Sequence, residues 1–210
     1  MMVWQLFYSP SQIKNCLLLG LGGGDMVRYW QHYFPALEIL TVEQQPAINK
    51  IACEFFHLQP GETGLQCHIH DAEKFLVSNQ QRHDLIFLDM LADDALPDFM
   101  HDKDFWLNCK KSLSENGSVI ANIIVKDSDS LRELLLMIKS VFNYLPLCMN
   151  VPDHRNIILF LPPDSLLSTS VESLMLQAKP AEERYSLAFE QVVQQLCKDN
   201  FVENGYFKLR

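Results

Sequence analysis

Mostly apolar runs alternate with amphipathic stretches along the chain. Five such runs are typical of strands buried on both faces of a sheet. They cover residues 15–19, 37–42, 65–69, 84–88 and 119–125. The intervening stretches have apolar residues at helical spacing, over residues 26–34, 46–56, 73–77, 102–114 and 131–142. Strands separated by helices predict an α/β fold with a mainly parallel sheet covered on both faces.

The apolar stretch that follows is divided by a polar turn, Pro152 to Arg155. Residues 144–151 and 156–161 would then form two antiparallel strands. The sequence therefore predicts a doubly wound, Rossmann-like α/β fold. Its seven-stranded, mainly parallel sheet would end in a closing antiparallel hairpin.

Two prolines at 162 and 163 mark a boundary between a domain over residues 1–162 and a helical extension over residues 163–210. Within the extension we expect Pro180 to open an amphipathic helix. Its apolar face consists of Tyr185, Ala188, Phe189, Val192, Val193 and Leu196. Such a face must be buried, against the chain itself or against a second copy. We expect a homodimer to which residues 163–210 contribute.

A glycine-rich loop joins the first strand to the first helix. Gly20, Gly22, Gly23 and Gly24 fall within five positions there. Glycine permits a sharp turn and lets a ligand approach the bare backbone. The second strand ends on Glu43, and a carboxylate at that place can accept hydrogen bonds from both hydroxyls of an adenosine ribose. The order of strand, glycine loop, helix, strand and acid predicts a nucleoside-cofactor site.

Two further acids, Asp71 and Asp89, follow the third and fourth strands. In open α/β sheets, ligands bind beyond the carboxyl ends of the strands. Both acids are therefore candidates for the same site. For Asp71 the alternative is that it caps the helix that follows it.

Composition limits the cellular setting and the partners. The chain has 210 residues, 48% of them apolar, and its six cysteines form no Cys-x-x-Cys pair. This pattern is typical of a cytoplasmic protein with reduced thiols. We find no secretory leader and no apolar run long enough for a membrane span. The net charge of −9 argues against a nucleic-acid partner and suits a neutral or cationic small molecule.

Other chemistries find less support. His68, His70 and Asp71 lie close together in the sequence, but no second group of ligands accompanies them, so we expect no metal site. The loop lacks the Gly-Lys-Ser/Thr of a P-loop, and no Gly-x-Ser-x-Gly is present for a hydrolase. The first strand–helix–strand unit alone is also compatible with a nicotinamide dehydrogenase, although the closing hairpin argues against that class of enzyme.

The motifs together resemble the spermidine/spermine synthase family, within the class I S-adenosylmethionine (SAM)-dependent methyltransferase superfamily. The similar segments are the glycine loop with the start of its helix at 17–28, the pair Val42-Glu43, the step into Asp71-Ala72, and Asp84-Leu-Ile-Phe-Leu-Asp89. The resemblance covers roughly residues 15–161. It implies SAM or decarboxylated SAM as the cofactor.

The resemblance also implies roles for individual residues. Gly20, Gly22 and Gly24 would pass beneath the methionine part of the cofactor. Glu43, with Gln44 beside it, would hold the ribose. Asp71 and Ala72 would meet the adenine. Asp89 would be the catalytic carboxylate facing the reacting amine. From the acidic loop that follows it, and not from the resemblance, we predict that Asp93 and Asp94 contribute to substrate binding.

Three differences from the family pattern argue against literal spermidine synthesis. Gly23 stands where aminopropyltransferases have an acid that holds the amino end of their donor. The family's Asp-Ser-x-Asp-Pro signature reads Asp89-Met-Leu-Ala-Asp93 here, so its second acid is absent or displaced to Asp93 or Asp94. We also expect the small β-domain that precedes the family's core to be missing, since only about 15 residues precede the first strand; the helical extension could occupy its place. We therefore expect a transferase that moves a methyl or an aminopropyl group to a small, cationic amine. The alternative is a non-catalytic protein that binds SAM or methylthioadenosine and acts through a partner.

Overall fold

The computed structural model describes residues 1–61, 64–90 and 96–209. Seven strands form the main sheet: β1 (Asn15–Leu19), β2 (Glu38–Glu43), β3 (Leu65–Ile69), β4 (His83–Leu88), β5 (Leu113–Ile123), β6 (Leu147–Asn150) and β7 (Ile157–Leu161). Their order across the sheet is β3-β2-β1-β4-β5-β7-β6. Neighbouring strands are parallel from β3 to β5, whereas β7 is antiparallel to both β5 and β6. The predicted sheet and its closing hairpin are confirmed.

Helices connect the strands and cover the sheet: α1 (Asp25–Tyr33), α2 (Pro46–Phe56), α3 (Ala72–Ser78), α4 (Lys103–Lys111) and α5 (Ser128–Phe142). The C-terminal part contains α6 (Val171–Tyr185), α7 (Phe189–Asp199) and a short hairpin of β8 (Val202–Glu203) and β9 (Tyr206–Phe207). In the sheet, β2 lies on one side of β1 and β4 lies on the other side. The switch point of this fold therefore lies between β1 and β4.

The core lies on both faces of the central strands. Side chains of β1 and β4 such as Leu17, Leu18 and Phe87 are buried. Trp30 of α1 packs against Phe87 with ring centroids 4.5 Å apart. Because both faces are covered by apolar side chains, these strands are rigid supports for the loops at their ends.

Most of the apolar residues of α2 are not buried. Of its apolar residues only Ala52 is buried, whereas Ile51 is 45% exposed and Phe55 is 71% exposed. The helix contacts β2 and the edge strand β3, so only a narrow stripe of it faces other residues. Helical spacing identified an apolar face correctly but did not indicate what covers it.

The helix predicted over residues 102–114 ends earlier, at Lys111, and β5 begins at Leu113 and includes Asn116 and Gly117. A Cβ atom on Gly117 would lie 2.8 Å from the carbonyl oxygen of His83 in the neighbouring strand. Glycine is therefore present because two strands approach closely and not because a helix ends.

The C-terminal segment forms two helices where one was predicted to begin at Pro180. That proline lies inside α6, and the chain turns at Ser186 before α7 begins. Tyr185 stacks on Phe34 of the core with centroids 5.2 Å apart. Most of the predicted apolar face is thus buried within the chain itself, with Phe189, Val193 and Leu196 as its most buried members on α7, whereas Ala188 is exposed. The predicted homodimer and the division at residue 162 stay predictions.

The extension also closes the edge of the sheet. The side chain of Asn200 accepts a hydrogen bond from the backbone N–H of Cys148 at 2.9 Å and donates one to its carbonyl oxygen. Cys148 belongs to β6, the last strand of the sheet. An unpaired strand edge is thereby partly satisfied. Over residues 1–61, 64–90 and 96–209, no helix is both long enough and apolar enough to cross a bilayer.

Candidate functional site

The carboxyl ends of four parallel strands bring the predicted site residues to one edge of the sheet. The loop after β1 hydrogen-bonds to β2, since the N–H of Gly20 donates to the carbonyl of Val42 at 2.9 Å. The N–H of Asp89 donates to the carbonyl of Leu19, also at 2.9 Å. The glycine loop is therefore held between the ends of β2 and β4. The roles predicted for these residues toward a ligand stay predictions.

The glycines of the loop serve different purposes. Gly20 has φ +90°, and a Cβ atom there would lie 2.2 Å from the carbonyl oxygen of Asp89. A Cβ atom on Gly24 would lie 2.4 Å from Cδ1 of Leu58. Gly22 differs, because a Cβ atom there would meet nothing within 4 Å. Packing accounts for Gly20 and Gly24, whereas Gly22 leaves an open space beside the backbone that a ligand can fill.

Glu43 is a buried carboxylate, 9% exposed, that joins the end of β2 to the glycine loop. Its Oε2 accepts a hydrogen bond from the N–H of Leu21 at 3.1 Å, and its Oε1 accepts one from the N–H of Gln45 at 2.8 Å. A carboxylate offers about four acceptor positions, so this one can also accept from two hydroxyls. Gln44 lies beside it and is exposed. Its remaining acceptor positions fit the donating hydroxyls of a ribose.

Asp71 directly precedes α3 and caps that helix, which is the alternative that the sequence offered for this residue. Its Oδ1 accepts a hydrogen bond from the N–H of Lys74 at 2.9 Å. Ala72 is the first residue of the helix and is half-buried. Asp71 lies at the same edge of the sheet as Glu43, because the N–H of the preceding residue, His70, donates to the carbonyl of Glu43 at 3.0 Å.

Asp89 belongs to a polar chain that the sequence reasoning missed. Its Oδ1 accepts a hydrogen bond from Nδ2 of Asn122 at 2.8 Å. Oδ1 of Asn122 in turn accepts one from Nδ2 of Asn156 at 2.9 Å. The only sequence signal was an amide within the apolar run 119–125. Its two partners lie 33 and 34 residues away, and sequence spacing did not indicate them.

The basic side chain of Arg28 also contacts the glycine loop. Nη1 of Arg28 donates to the carbonyl of Gly23 at 2.7 Å and to that of Phe56 at 3.3 Å. The guanidinium lies over the Phe56 ring, 5.2 Å from its centroid, and Nη2 forms an ion pair with Asp25. The loop position that carries an acid in aminopropyltransferases therefore has a cation bound to its carbonyl.

The structure describes only part of the region predicted to bind the acceptor substrate. Asp93 and Asp94, predicted to bind substrate, lie outside the described residues. Asp98, from the same acidic stretch, lines a cavity of about 190 Å³. His101, Lys126 and Arg155 also line it. The described residues that line this cavity therefore include both acidic and basic side chains.

A larger cavity of about 680 Å³ is formed by residues 1–3, the turn after β6 and helix α7. Its lining is mainly apolar and includes Met149, Val151 and Val192, with Lys198 as its cation among the residues described. The N–H of Val151 donates to the carbonyl of Asn156 at 2.9 Å. One wall of the cavity is thus joined to the polar chain that ends at Asp89.

Within the described part of the chain, no group of three or more His, Cys, Asp or Glu side chains could hold a metal ion. His83 is the one described histidine with both ring nitrogens buried and without a hydrogen-bond partner. Burial lowers the pKa of His83 to about 4, against a smaller opposing effect of Asp84. It begins β4, at the opposite edge of the sheet from the site.

Comparisons with known proteins agree with the fold. The chain is 28% identical over 120 residues to a polyamine aminopropyltransferase of Vibrio vulnificus, covering 56% of this chain and 40% of that protein. It is 26% identical over 193 residues to an eEF1A lysine and N-terminal methyltransferase of Xenopus laevis, covering 85% of this chain and 28% of that protein. The chain thus spans less than half the length of these two relatives. No family model matches it.

Among solved structures, human methyltransferase-like protein 13 in complex with SAH superposes with a TM-score of 0.74. The match covers 97% of this chain and 93% of that one at 23% sequence identity. The predicted fold and the predicted resemblance are both confirmed. The chain has the Rossmann-like fold of class I SAM-dependent methyltransferases and is similar in sequence to polyamine aminopropyltransferases and to a protein methyltransferase.

Proposed function

We propose that the chain is a SAM-dependent transferase that moves a methyl group to an amine. The observation that carries the proposal is the relation between Glu43 and Gly22. A buried carboxylate, bonded to the N–H of Leu21, lies at the end of β2 beside a glycine that faces open space. Hydroxyl acceptors next to bare backbone are what an adenosine cofactor requires at the switch point of this fold.

The residues at this edge fit SAM. The backbone at Gly20, Gly22 and Gly24 would pass beneath its methionine part. Glu43, with Gln44 beside it, would hold the ribose hydroxyls. Asp71 and Ala72 would meet the adenine. The related polyamine aminopropyltransferases and methyltransferase support a transferase, and the structural neighbour was solved with SAH.

The glycine loop favours SAM over decarboxylated SAM as the donor. Both donors carry an ammonium at the end of this chain, and only SAM also carries a carboxylate beside it. Gly23 provides no acidic side chain, and the guanidinium of Arg28 binds its carbonyl oxygen at 2.7 Å. This guanidinium, which also pairs with Asp25, would attract the carboxylate that only SAM retains. Methyl transfer is therefore our proposal, in preference to aminopropyl transfer.

The protein's own contribution to the reaction would be alignment and acceptance of a proton. The sulfonium of SAM supplies an already activated carbon when bound. Because Oδ1 of Asp89 is held by Asn122, its Oδ2 is the oxygen that would face the acceptor. There it can orient an amine by accepting its N–H and can remove a proton during transfer.

The acceptor would be an amine, by its chemistry and by the relatives. The sequence relatives are aminopropyltransferases and a lysine and N-terminal methyltransferase. The net charge of −9 favours cations near the protein. The mixed charge around Asp98 and the apolar cavity lined by Val151 favour an acceptor larger than a simple diamine.

Transfer assays with defined donors test the proposal. The chain would be incubated with SAM or decarboxylated SAM and with putrescine, spermidine, a lysine peptide and a peptide with a free N-terminus. Mass spectrometry distinguishes a methyl from an aminopropyl gain. We expect methyl gain on an amine with SAM, and its loss in Asp89→Asn. Aminopropyl gain would contradict the choice of donor, and tight SAM binding without transfer to any amine would favour the non-catalytic alternative.

A further inference from the structure

We infer that Asn122 and Asn156 are positioning residues that fix the orientation of the Asp89 carboxylate. The inference rests on the proposed function, in which Asp89 faces the acceptor amine. It assigns a purpose to two amides that would not touch the amine themselves.

The chemistry of the three groups fixes the direction of both amides. An ionised carboxylate only accepts hydrogen bonds, so Asn122 must turn its Nδ2 toward Asp89. Its Oδ1 then faces Asn156 and needs a donor there, which Nδ2 of Asn156 supplies at 2.9 Å. If Asn122 were reversed, its Oδ1 would oppose the carboxylate oxygen. Asn156 therefore holds Asn122 in the one orientation that serves Asp89.

The three residues are mounted on rigid parts of the sheet. Asp89 follows β4, Asn122 lies in β5 between the buried residues Ala121 and Ile123, and Asn156 directly precedes β7. These strands are hydrogen-bonded neighbours in the order β4-β5-β7. The carbonyl of Asn156 is also fixed, since it accepts from the N–H of Val151 at 2.9 Å. Groups supported in this way hold a reacting side chain more closely than loop residues do.

The arrangement leaves one oxygen of Asp89 for a ligand. Oδ1 is occupied by Asn122, at 2.8 Å, and cannot rotate away without breaking that bond. Hydrogen bonds to charged groups contribute about 1.5–3 kcal/mol, which corresponds to a factor of about ten or more in an equilibrium constant. We expect loss of either amide to weaken amine binding by about tenfold while binding of the nucleoside stays unchanged.

A pair of probes separates these effects without knowledge of the acceptor. S-adenosylhomocysteine tests the nucleoside and methionine contacts. Sinefungin carries an amine on the carbon that replaces the sulfonium, so it also tests the group facing the acceptor. Calorimetry on the full chain would give both dissociation constants, and their ratio is the readout. Asp89→Asn sets the ratio expected when the carboxylate is removed.

The decisive variant is Asn156→Asp. A carboxylate at 156 only accepts, so Asn122 would reverse to donate to it and would present its Oδ1 to Asp89. We expect the sinefungin preference to fall about tenfold, toward that of Asp89→Asn, with S-adenosylhomocysteine affinity within about twofold of the parent. Asn156→Ser retains a hydroxyl donor and should restore most of the preference. Asn122→Leu should lose it.

The outcomes distinguish the inference from the function on which it rests. A sinefungin preference that is unchanged in Asn156→Asp and Asn122→Leu would overturn the inference. So would an Asp89→Asn variant with the parent's ratio, because Asp89 would then not face the amine. A parent chain that binds neither probe would overturn the proposed function instead. If Asn122→Leu does not fold, the half-buried position 156 still decides the question.

Discussion

The Glu43 carboxylate accepts a hydrogen bond from the backbone N–H of Leu21 at 3.1 Å, and so connects the end of β2 to the glycine loop after β1. Its second oxygen accepts from the N–H of Gln45 at 2.8 Å. The residue that would hold the ribose therefore also shapes the loop that would lie beneath the cofactor. Ligand binding and local stability would then depend on the same side chain.

Replacing Glu43 should therefore affect two measurements. We expect Glu43→Ala to weaken S-adenosylhomocysteine binding by about 1.5–3 kcal/mol, the scale of hydrogen bonds to a charged group. The free energy of unfolding should also fall by about 1–3 kcal/mol, since two backbone donors lose their acceptor. Calorimetry and urea denaturation measure the two effects. Glu38→Ala, at the exposed start of the same strand, is the control and should change neither. Parent-like binding by Glu43→Ala would remove the residue from the site.

Gly20 should contribute strongly to the stability of the fold. A Cβ atom there would lie 2.2 Å from the carbonyl oxygen of Asp89, at a φ of +90°. We expect Gly20→Ala to lower the free energy of unfolding by roughly 3 kcal/mol, from steric overlap and backbone strain together. Gly205→Ala, also at positive φ but with nothing within 4 Å of its Cβ position, isolates the strain and should cost only about 1 kcal/mol. Equal losses in the two variants would show that the contact with Asp89 is unimportant.

Much of the site edge was predictable from sequence because parallel strands end at the same side of a sheet. The apolar run before Gly20 and the strand ending on Glu43 were sufficient to place both residues there. The ends of α2 were likewise predicted as they occur, since Pro46 marks its start and the loop after Phe56 marks its end. Local signals of this kind are contained in a few neighbouring residues.

Contacts between distant segments could not be predicted in the same way. Asn122 and Asn156 meet only because β7 folds back beside β5. The close approach of Gly117 to His83 likewise depends on the pairing of β4 with β5. Sequence periodicity also could not show that Phe55 is exposed. It identifies the apolar face of a helix but not whether other residues pack against that face.

The buried histidine His83 should make stability depend on pH. Its pKa is about 4 in the folded chain, because of burial, and 6.5 is the ordinary value expected after unfolding. The unfolded chain therefore takes up a proton that the folded chain resists. The His83 contribution to the free energy of unfolding should fall by up to about 3 kcal/mol as pH drops from 6.5 to 4.

Denaturation of His83→Leu at several pH values checks this effect. The variant should equal or exceed the parent's stability at pH 6.5 and above, where no partner for the ring nitrogens is lost. Its advantage should grow as the pH falls toward 4. His154→Leu, at an exposed turn, is the control. A constant difference between parent and His83→Leu across this range would contradict the assignment.

Two leucines of the C-terminal segment test whether α7 is part of the core. Leu196 is 1% exposed, whereas Leu176 on α6 is 72% exposed. We expect Leu196→Ala to lower the free energy of unfolding by about 2–5 kcal/mol, through lost burial and the cavity that remains. Leu176→Ala should change it by about 0.5 kcal/mol or less. Similar small losses in both would mean that the helix is only loosely attached.

The central claim is that a nucleoside cofactor lies against the backbone at Gly22. The most direct measurement is calorimetric titration of the parent, Gly22→Val and Gly205→Val with S-adenosylhomocysteine. Both glycines have positive φ and an open Cβ position, so the two valines impose similar backbone strain. We predict that the parent and Gly205→Val bind equally and that Gly22→Val shows no binding. Equal binding by Gly22→Val, or no binding by the parent, would contradict the claim.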